Sequence, residues 1–158
     1  MNVITKIDGE NKAVYCVLDA RIGEEICDFG AFSLTSRDLA AHLRGCKRVI
    51  LFAATIGATI DREILKQSRL SPHRALALQQ EGTARIETWC NSLCAELENS
   101  IGSRLRRRYS PGYGDLALEV QREVFRVLGP ASRIGLCLSD SCVMTPTKSV
   151  TAFLGVEE

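Results

Sequence analysis

Apolar positions recur along this chain in two rhythms, and each rhythm predicts a different kind of element. Ala13 to Asp19 alternates weakly and is rich in β-formers (Val14, Tyr15, Val17, Leu18), which predicts a strand. Val49 to Ala54 is a continuous apolar run, so a strand over Arg48 to Ala54 would need cover on both faces. Arg133 to Leu138 and Ser149 to Gly155 are further strand candidates. The helical rhythm begins at Thr35-Ser36-Arg37-Asp38, where an acid follows a hydroxyl by three residues as in a capping box. Leu39, Ala40 and Leu43 then share one face, and Gly45 ends the helix. Ile60 to Gln67 predicts a second helix. Ser71-Pro72, a cap residue followed by proline, starts a third segment that continues to Arg107. In it Ile86, Trp89, Cys90, Leu93, Cys94, Leu97, Ile101 and Leu105 step by threes and fours. Gly82 marks either a break or a close crossing, so the segment is one long helix or two consecutive ones. From Glu81 to Arg108 it would run ~40 Å at 1.5 Å per residue. Asp115 is placed to cap a last helix, Leu116 to Leu128, with Leu116, Val120, Phe125 and Leu128 inward and Gly129-Pro130 as its stop.

Composition changes this picture little. The 158 residues suffice for one domain, read as 1–158, with a proper core. A net charge of +1 points to neither nucleic acid nor a membrane surface. Met1 to Glu10 has no apolar centre for a signal peptide, and no run is long enough to span a bilayer. A cytoplasmic location is therefore expected. The seven cysteines (16, 27, 46, 90, 94, 137 and 142) have no framework spacing and no Cys-x-x-Cys. They read as reduced thiols, mostly buried small hydrophobes, rather than disulfides or metal ligands.

Candidate chemistry concentrates in two stretches. Arg108-Tyr109-Ser110-Pro111-Gly112-Tyr113-Gly114-Asp115 puts a fixed cation, two rings, a proline and two glycines within eight residues. Its glycines allow left-handed torsions and close backbone approach, while its side chains build little core. The plain alternative is a helix connection with a solvated arginine. Arg104, Arg106, Arg107 and Arg108 also have a plain reading, as charges complementing a helix C-terminus. The second stretch is the polar loop Ser139 to Lys148. The turn Thr55-Ile56-Gly57-Ala58-Thr59, between a strand and a helix, could face an anion, but it lacks a phosphate-loop fingerprint and reads as tight packing.

Arg108-x-x-Pro111-Gly112-Tyr113 resembles the arginine-proline-glycine-tyrosine loop of the activation domain of cobalamin-dependent methionine synthase. Leu138-Ser-Asp-Ser-x-x-Met144-x-Pro146-x-x-Ser149-Val150-Thr151-Ala152 is similar to that domain's second signature. The extended Pro-Gly-Tyr-Gly-Asp and Lys-Ser-Val-Thr-Ala forms, and Phe52 to Gly57 followed by Asp61-Arg62, look like a stand-alone bacterial version. The resemblance spans Val49 to Gly155. It implies an α+β fold, with a curved, mostly antiparallel sheet packed with long helices. It also implies an accessory role in reductive reactivation. S-adenosylmethionine is the implied methyl donor, cobalamin is supplied by the cobalamin module of a corrinoid-dependent methionine synthase, and a flavodoxin-like donor supplies the electron. The chain would be a component of a methyltransferase system, without acid-base residues of its own.

On that resemblance Arg108 would hold the ligand carboxylate and Glu87 its ammonium, backbone groups around Gly112 to Gly114 would approach adenine or ribose, and Pro111, Tyr113 and Asp115 would belong to the same site. Tyr113, Met144, Pro146, Lys148, Ser149 and Thr151 would face cobalamin or the partner. The family's histidine after the glycine-tyrosine turn is missing from Gly114-Asp115-Leu116, and its N-terminal acidic contact has no match. The family domain also continues past the point corresponding to Glu158 and supplies another tyrosine there. Contacts from that region are expected to be absent, replaced, or made by the partner. These departures motivate an alternative, a docking module that binds the corrinoid protein without S-adenosylmethionine. An independent S-adenosylmethionine-dependent methyltransferase lacks its Rossmann glycine motif, and thiol-redox chemistry on Cys90 and Cys94, or Cys137 and Cys142, is more remote.

Overall fold

The computed structural model describes Met1–Glu158. The first half contains β1 (Ile4–Asp8), β2 (Asn11–Asp19), β3 (Arg21–Ile22), β4 (Ile26–Asp28) and β5 (Ser33–Thr35). It continues with α1 (Arg37–His42), β6 (Arg48–Thr55), α2 (Thr59–Leu70) and α3 (Pro72–Ile101). A 3-10 turn (Leu118–Val120) then leads into α4 (Gln121–Leu128), α5 (Pro130–Ile134), β7 (Cys137–Leu138), β8 (Met144–Thr145) and β9 (Ser149–Gly155). The main sheet is antiparallel throughout, in the order β1-β2-β6-β9, with β3-β4-β5 and β7-β8 as small separate sheets.

The continuous apolar run of β6 is explained by its place inside this sheet. Val49, Leu51 and Ala53 face a cluster with Leu39 of α1, Leu43 at its C-cap, and Val124, Val127 and Leu128 of α4. Ile50, Phe52 and Ala54 face the other way, onto Ile86, Trp89, Leu93 and Leu97 of α3. Pleating sends alternate residues to opposite faces, so a strand with a helix layer on each side must be apolar at every position. Residues Val49 to Ala54 are all fully buried. The α+β class and the antiparallel sheet expected from the resemblance are what the structure has.

Five local expectations need correction. The long helix is unbroken at Gly82, but it ends at Ile101 and does not reach Arg107. Gly102 adopts φ 74 and ψ 22, the left-handed stop of a helix, so Arg104 to Arg108 are extended chain and complement no helix dipole. A Cβ at Gly82 would lie 3.0 Å from Lys148 Cε and 3.1 Å from Ile60 Cδ1, so that glycine marks a close crossing. Ser36, not Thr35, caps α1, accepting from the Leu39 amide at 3.0 Å. The helix expected over Leu116–Leu128 is confined to Gln121–Leu128; Val124 and Val127 join Leu116 and Leu128 in the core, with Val120 and Phe125 half-buried against it. Arg133 begins no strand: Gly129-Pro130 both ends α4 and starts α5, and only Cys137–Leu138 pairs.

The turn after β6 packs as expected. Gly57 has φ +87, and its missing Cβ would stand 3.4 Å from Glu10 Cβ. Thr59 Oγ1 donates to Glu10 Oε1 at 2.8 Å, so the start of α2 is crossed by a carboxylate of the chain itself.

Candidate functional site

Glu87, Asn91, Cys94 and Glu98 follow one another on α3 at intervals of four, three and four residues, so they share one stripe of the helix surface. After Gly102 the chain doubles back along β9. Leu105 bridges Val156 and Tyr109 bridges Phe153, with Tyr109 N to Phe153 O at 3.1 Å and the return bond at 2.8 Å. This pairing lays Arg108 against the α3 stripe. Nη2 of Arg108 donates to Glu87 Oε2 at 2.7 Å, and Nη1 donates to Asn91 Oδ1 at 2.9 Å. Nη1 also lies 4.0 Å from Cys94 Sγ. Nε–H and one hydrogen of Nη2 make no hydrogen bond, which leaves Arg108 a free pair of donors.

These groups line an open cleft of about 560 Å³. Glu87, Asn91, Arg107, Arg108 and Tyr113 supply its polar wall and rim, and Leu105, Val150 and Leu154 its apolar floor. The Arg108 side chain is 21% exposed and that of Glu87 54%. The cation is thus held and partly desolvated, while the anion remains open to a solute. A cation and an anion side by side over an apolar floor match a zwitterionic amino acid joined to a flat apolar body. The volume falls within the range of small-molecule sites, about 300–1,000 Å³.

Burial pushes the Cys90 thiol up to about 12. It also raises Cys94, against the lowering effect of the Arg108 hydrogen bond. Both thiols therefore stay protonated near neutrality and serve as packing groups beside the cleft. No cluster of three or more His, Cys, Asp or Glu has metal-binding geometry, and no helix is long and apolar enough to cross a membrane.

The loop from Ser110 to Leu116 is fixed by its own turns. Tyr113 N donates to Ser110 O at 3.0 Å, and Gly112 N donates to Leu116 O at 2.8 Å. Pro111 is buried beneath it, and Tyr113 stands 54% exposed on the rim, edge-on to Tyr109 at 5.6 Å. Asp115 does not cap the helix that follows it. Its carboxylate accepts from Ser36 Oγ at 2.5 Å, Arg37 N at 2.9 Å and Asp38 N at 3.1 Å, and so completes the N-terminus of α1. Asp38 Oδ2 in turn accepts from the Asp115 amide at 2.9 Å. Two carboxylates thus exchange backbone donors and clasp the loop to α1.

These donors, the Ser36 hydroxyl first, hold the Asp115 carboxyl below its ordinary value. A depressed folded-state pKa contributes stability that is present above the unfolded value, about 3.9, and lost as pH falls through the folded one. Urea unfolding of Asp115→Asn should therefore lie well below wild type at pH 7, with the gap narrowing as the pH drops under about 4. A gap independent of pH would show that the charge is not what matters.

Of the second stretch only its end, Lys148, bonds α3. Lys148 Nζ donates to Thr83 Oγ1 at 3.2 Å, in a shallower groove that shares Glu87 with the cleft. Ser149 Oγ bonds Thr55 Oγ1 and Pro146 O, while Thr151 is 1% exposed with its hydroxyl on Gln121 Oε1 at 2.6 Å. Met144 is half-buried against the α4 side of the core, and Pro146 is buried. The structure therefore brings Arg108, Glu87 and Tyr113 into one cleft with Val150 in its floor. Gly114 and Asp115 turn toward α1, and Ser149 and Thr151 are engaged within the chain. Asn91 and Glu98 were missed in the sequence, and Cys94 stood there only in the apolar stripe and as a remote thiol-redox candidate. Their spacing from Glu87 was the available signal.

No protein-family profile matches the chain, and no curated protein sequence matches it. Among solved structures it is similar to a crystal structure of the MetH reactivation domain bound to AdoHcy, with a TM-score of 0.71 at 12% sequence identity. That similarity covers 92% of this chain, which spans 58% of the length of the other. At such low identity the likeness establishes architecture. This chain has the fold of the MetH reactivation domain.

Proposed function

We propose that the chain is a reactivation module for a corrinoid-dependent methionine synthase, binding S-adenosylmethionine in the cleft between α3 and the Arg104–Tyr109 segment. The supporting observation is the meeting of Arg108 and Glu87, distant in sequence, over an apolar floor in a chain of this fold. Arg108 takes the ligand carboxylate through its free donors, and Glu87 takes the ammonium. Tyr113 offers an exposed ring at the rim for the flat or cationic part of the ligand. S-adenosylmethionine supplies a sulfonium methyl group for transfer to cobalamin held by the partner's cobalamin module, and a flavodoxin-like protein supplies the electron. The chain's own contribution is to bind, orient and shield the donor, which is catalysis by positioning. The action is expected in the cytoplasm.

A second reading rests on one specific observation. Glu87 already neutralises Arg108, so the charge of the pair is balanced without a ligand, as a docking module that binds only the corrinoid protein would require. The two readings separate in a pull-down of a cobalamin module by this chain, with and without S-adenosylmethionine. The first predicts tighter capture with the ligand present. Capture that ignores the ligand supports the second, and no capture in either condition defeats both.

A further inference from the structure

Resting on the ligand reading above, we infer that Asn91 is a positioning residue, the neutral anchor that keeps Arg108 aimed when a zwitterion opens the Arg108–Glu87 pair. Arg108 reaches the cleft from extended chain, and α3 side chains fix its head, Glu87 on Nη2 and Asn91 on Nη1 at close range, with Cys94 Sγ a longer 4.0 Å contact of Nη1. An incoming amino-acid group presents a carboxylate to Arg108 and an ammonium to Glu87, so each charge of the resident pair gains a new partner. Glu87 then divides its attraction between two cations and holds Arg108 less firmly. Asn91 has no charge to be drawn away. Its Oδ1 stays on Nη1, on the side of the guanidinium away from the Nε–H that remains free. Asn91 and Glu87 lie four residues apart on one rigid helix, so the two grips keep a fixed spacing. Two grips also remove rotamer freedom that a long arginine would otherwise lose on binding.

The role belongs to the amino-acid end of the ligand alone, and this gives the test. Binding of S-adenosylhomocysteine and of 5′-methylthioadenosine, which lacks the amino-acid group, is measured by calorimetry on wild type, Asn91→Ala and Asn91→Asp. Asn91→Ala should weaken S-adenosylhomocysteine about ten-fold, the usual scale for a hydrogen bond to a charged group, and leave 5′-methylthioadenosine within about two-fold. Asn91→Asp keeps the acceptor but adds a second anion on Arg108. It should again weaken only the amino-acid ligand, and the loss should shrink as added salt screens the extra charge. Equal losses for both compounds, or no loss for either while Arg108→Ala still discriminates between them, would overturn the inference and leave the ligand site standing. A wild-type chain that takes up neither compound, alone or with a cobalamin module present, removes the underlying reading, and the role of Asn91 with it.

Discussion

Replacing Arg108 with alanine should cost ~2–3 kcal/mol of S-adenosylhomocysteine affinity, roughly thirty- to a hundred-and-fifty-fold. The loss has a single source, the charge-assisted pair with the ligand carboxylate. The fold should hardly respond. Glu87 is 54% exposed and regains water when its partner leaves, and exposed ion pairs contribute about 0–1 kcal/mol. Arg108→Lys should recover only part of the affinity, because an ammonium cannot present two parallel donors to one carboxylate. Calorimetric titration beside a melting curve separates the two effects. Unchanged affinity in Arg108→Ala would remove this residue from the site.

The largest effect on stability should come from a residue with no side chain. Gly114 has φ +51, where an alanine is strained by about 1–2 kcal/mol. A Cβ there would overlap the Asp38 carboxylate and stand 2.6 Å from Tyr109 Oη. Asp38 cannot simply turn aside, because its Oδ2 accepts from the Asp115 amide at 2.9 Å and its own amide donates to Asp115 Oδ1 at 3.1 Å. Gly114→Ala therefore has to open the clasp between the loop and α1, and strain plus overpacking should total about 2–4 kcal/mol. Gly112→Ala makes the comparison. Its Cβ would meet only Leu118 Cδ1, at 3.6 Å, so the cost should be mainly backbone strain. Urea midpoints of the two variants test the difference. Equal midpoints would show that the clasp at Gly114 adds nothing.

Much of this architecture was legible in the sequence, and the misses share a cause. The apolar run of β6 and the stripe of α3 are written in consecutive residues, so periodicity finds them. The end of α3 was misread because Leu105 falls four residues after Ile101 and prolongs the rhythm past the chain reversal at Gly102. The glycine was the better signal. Asp115 was assigned to the helix beside it in sequence, whereas its partners Ser36, Arg37 and Asp38 lie 79, 78 and 77 residues away. Capping chemistry was recognised, but sequence alone cannot say which helix comes within reach. β1 shows no apolar alternation, because Ile4 and Ile7 are both exposed on an edge strand.

The candidate site divides along the same line. Arg108 and Tyr113 were found through the motif they belong to, and Glu87 through the charge the ligand would require. Asn91 belongs to no motif, and only the return of the chain along β9 places it against the guanidinium. The resemblance puts Thr151 toward cobalamin or the partner. Strand alternation instead turns it to the α4 side, where Gln121 takes its hydroxyl.

A calorimetric titration of S-adenosylhomocysteine into the wild-type chain, alone and then with a cobalamin module from a corrinoid-dependent methionine synthase, tests the ligand site most directly. Saturable one-to-one binding in at least one setting, weakened about thirty-fold or more when Arg108 is replaced by alanine, is the predicted result. No saturable heat in either setting would contradict the proposal that the cleft between α3 and the returning arginine segment holds a methyl donor.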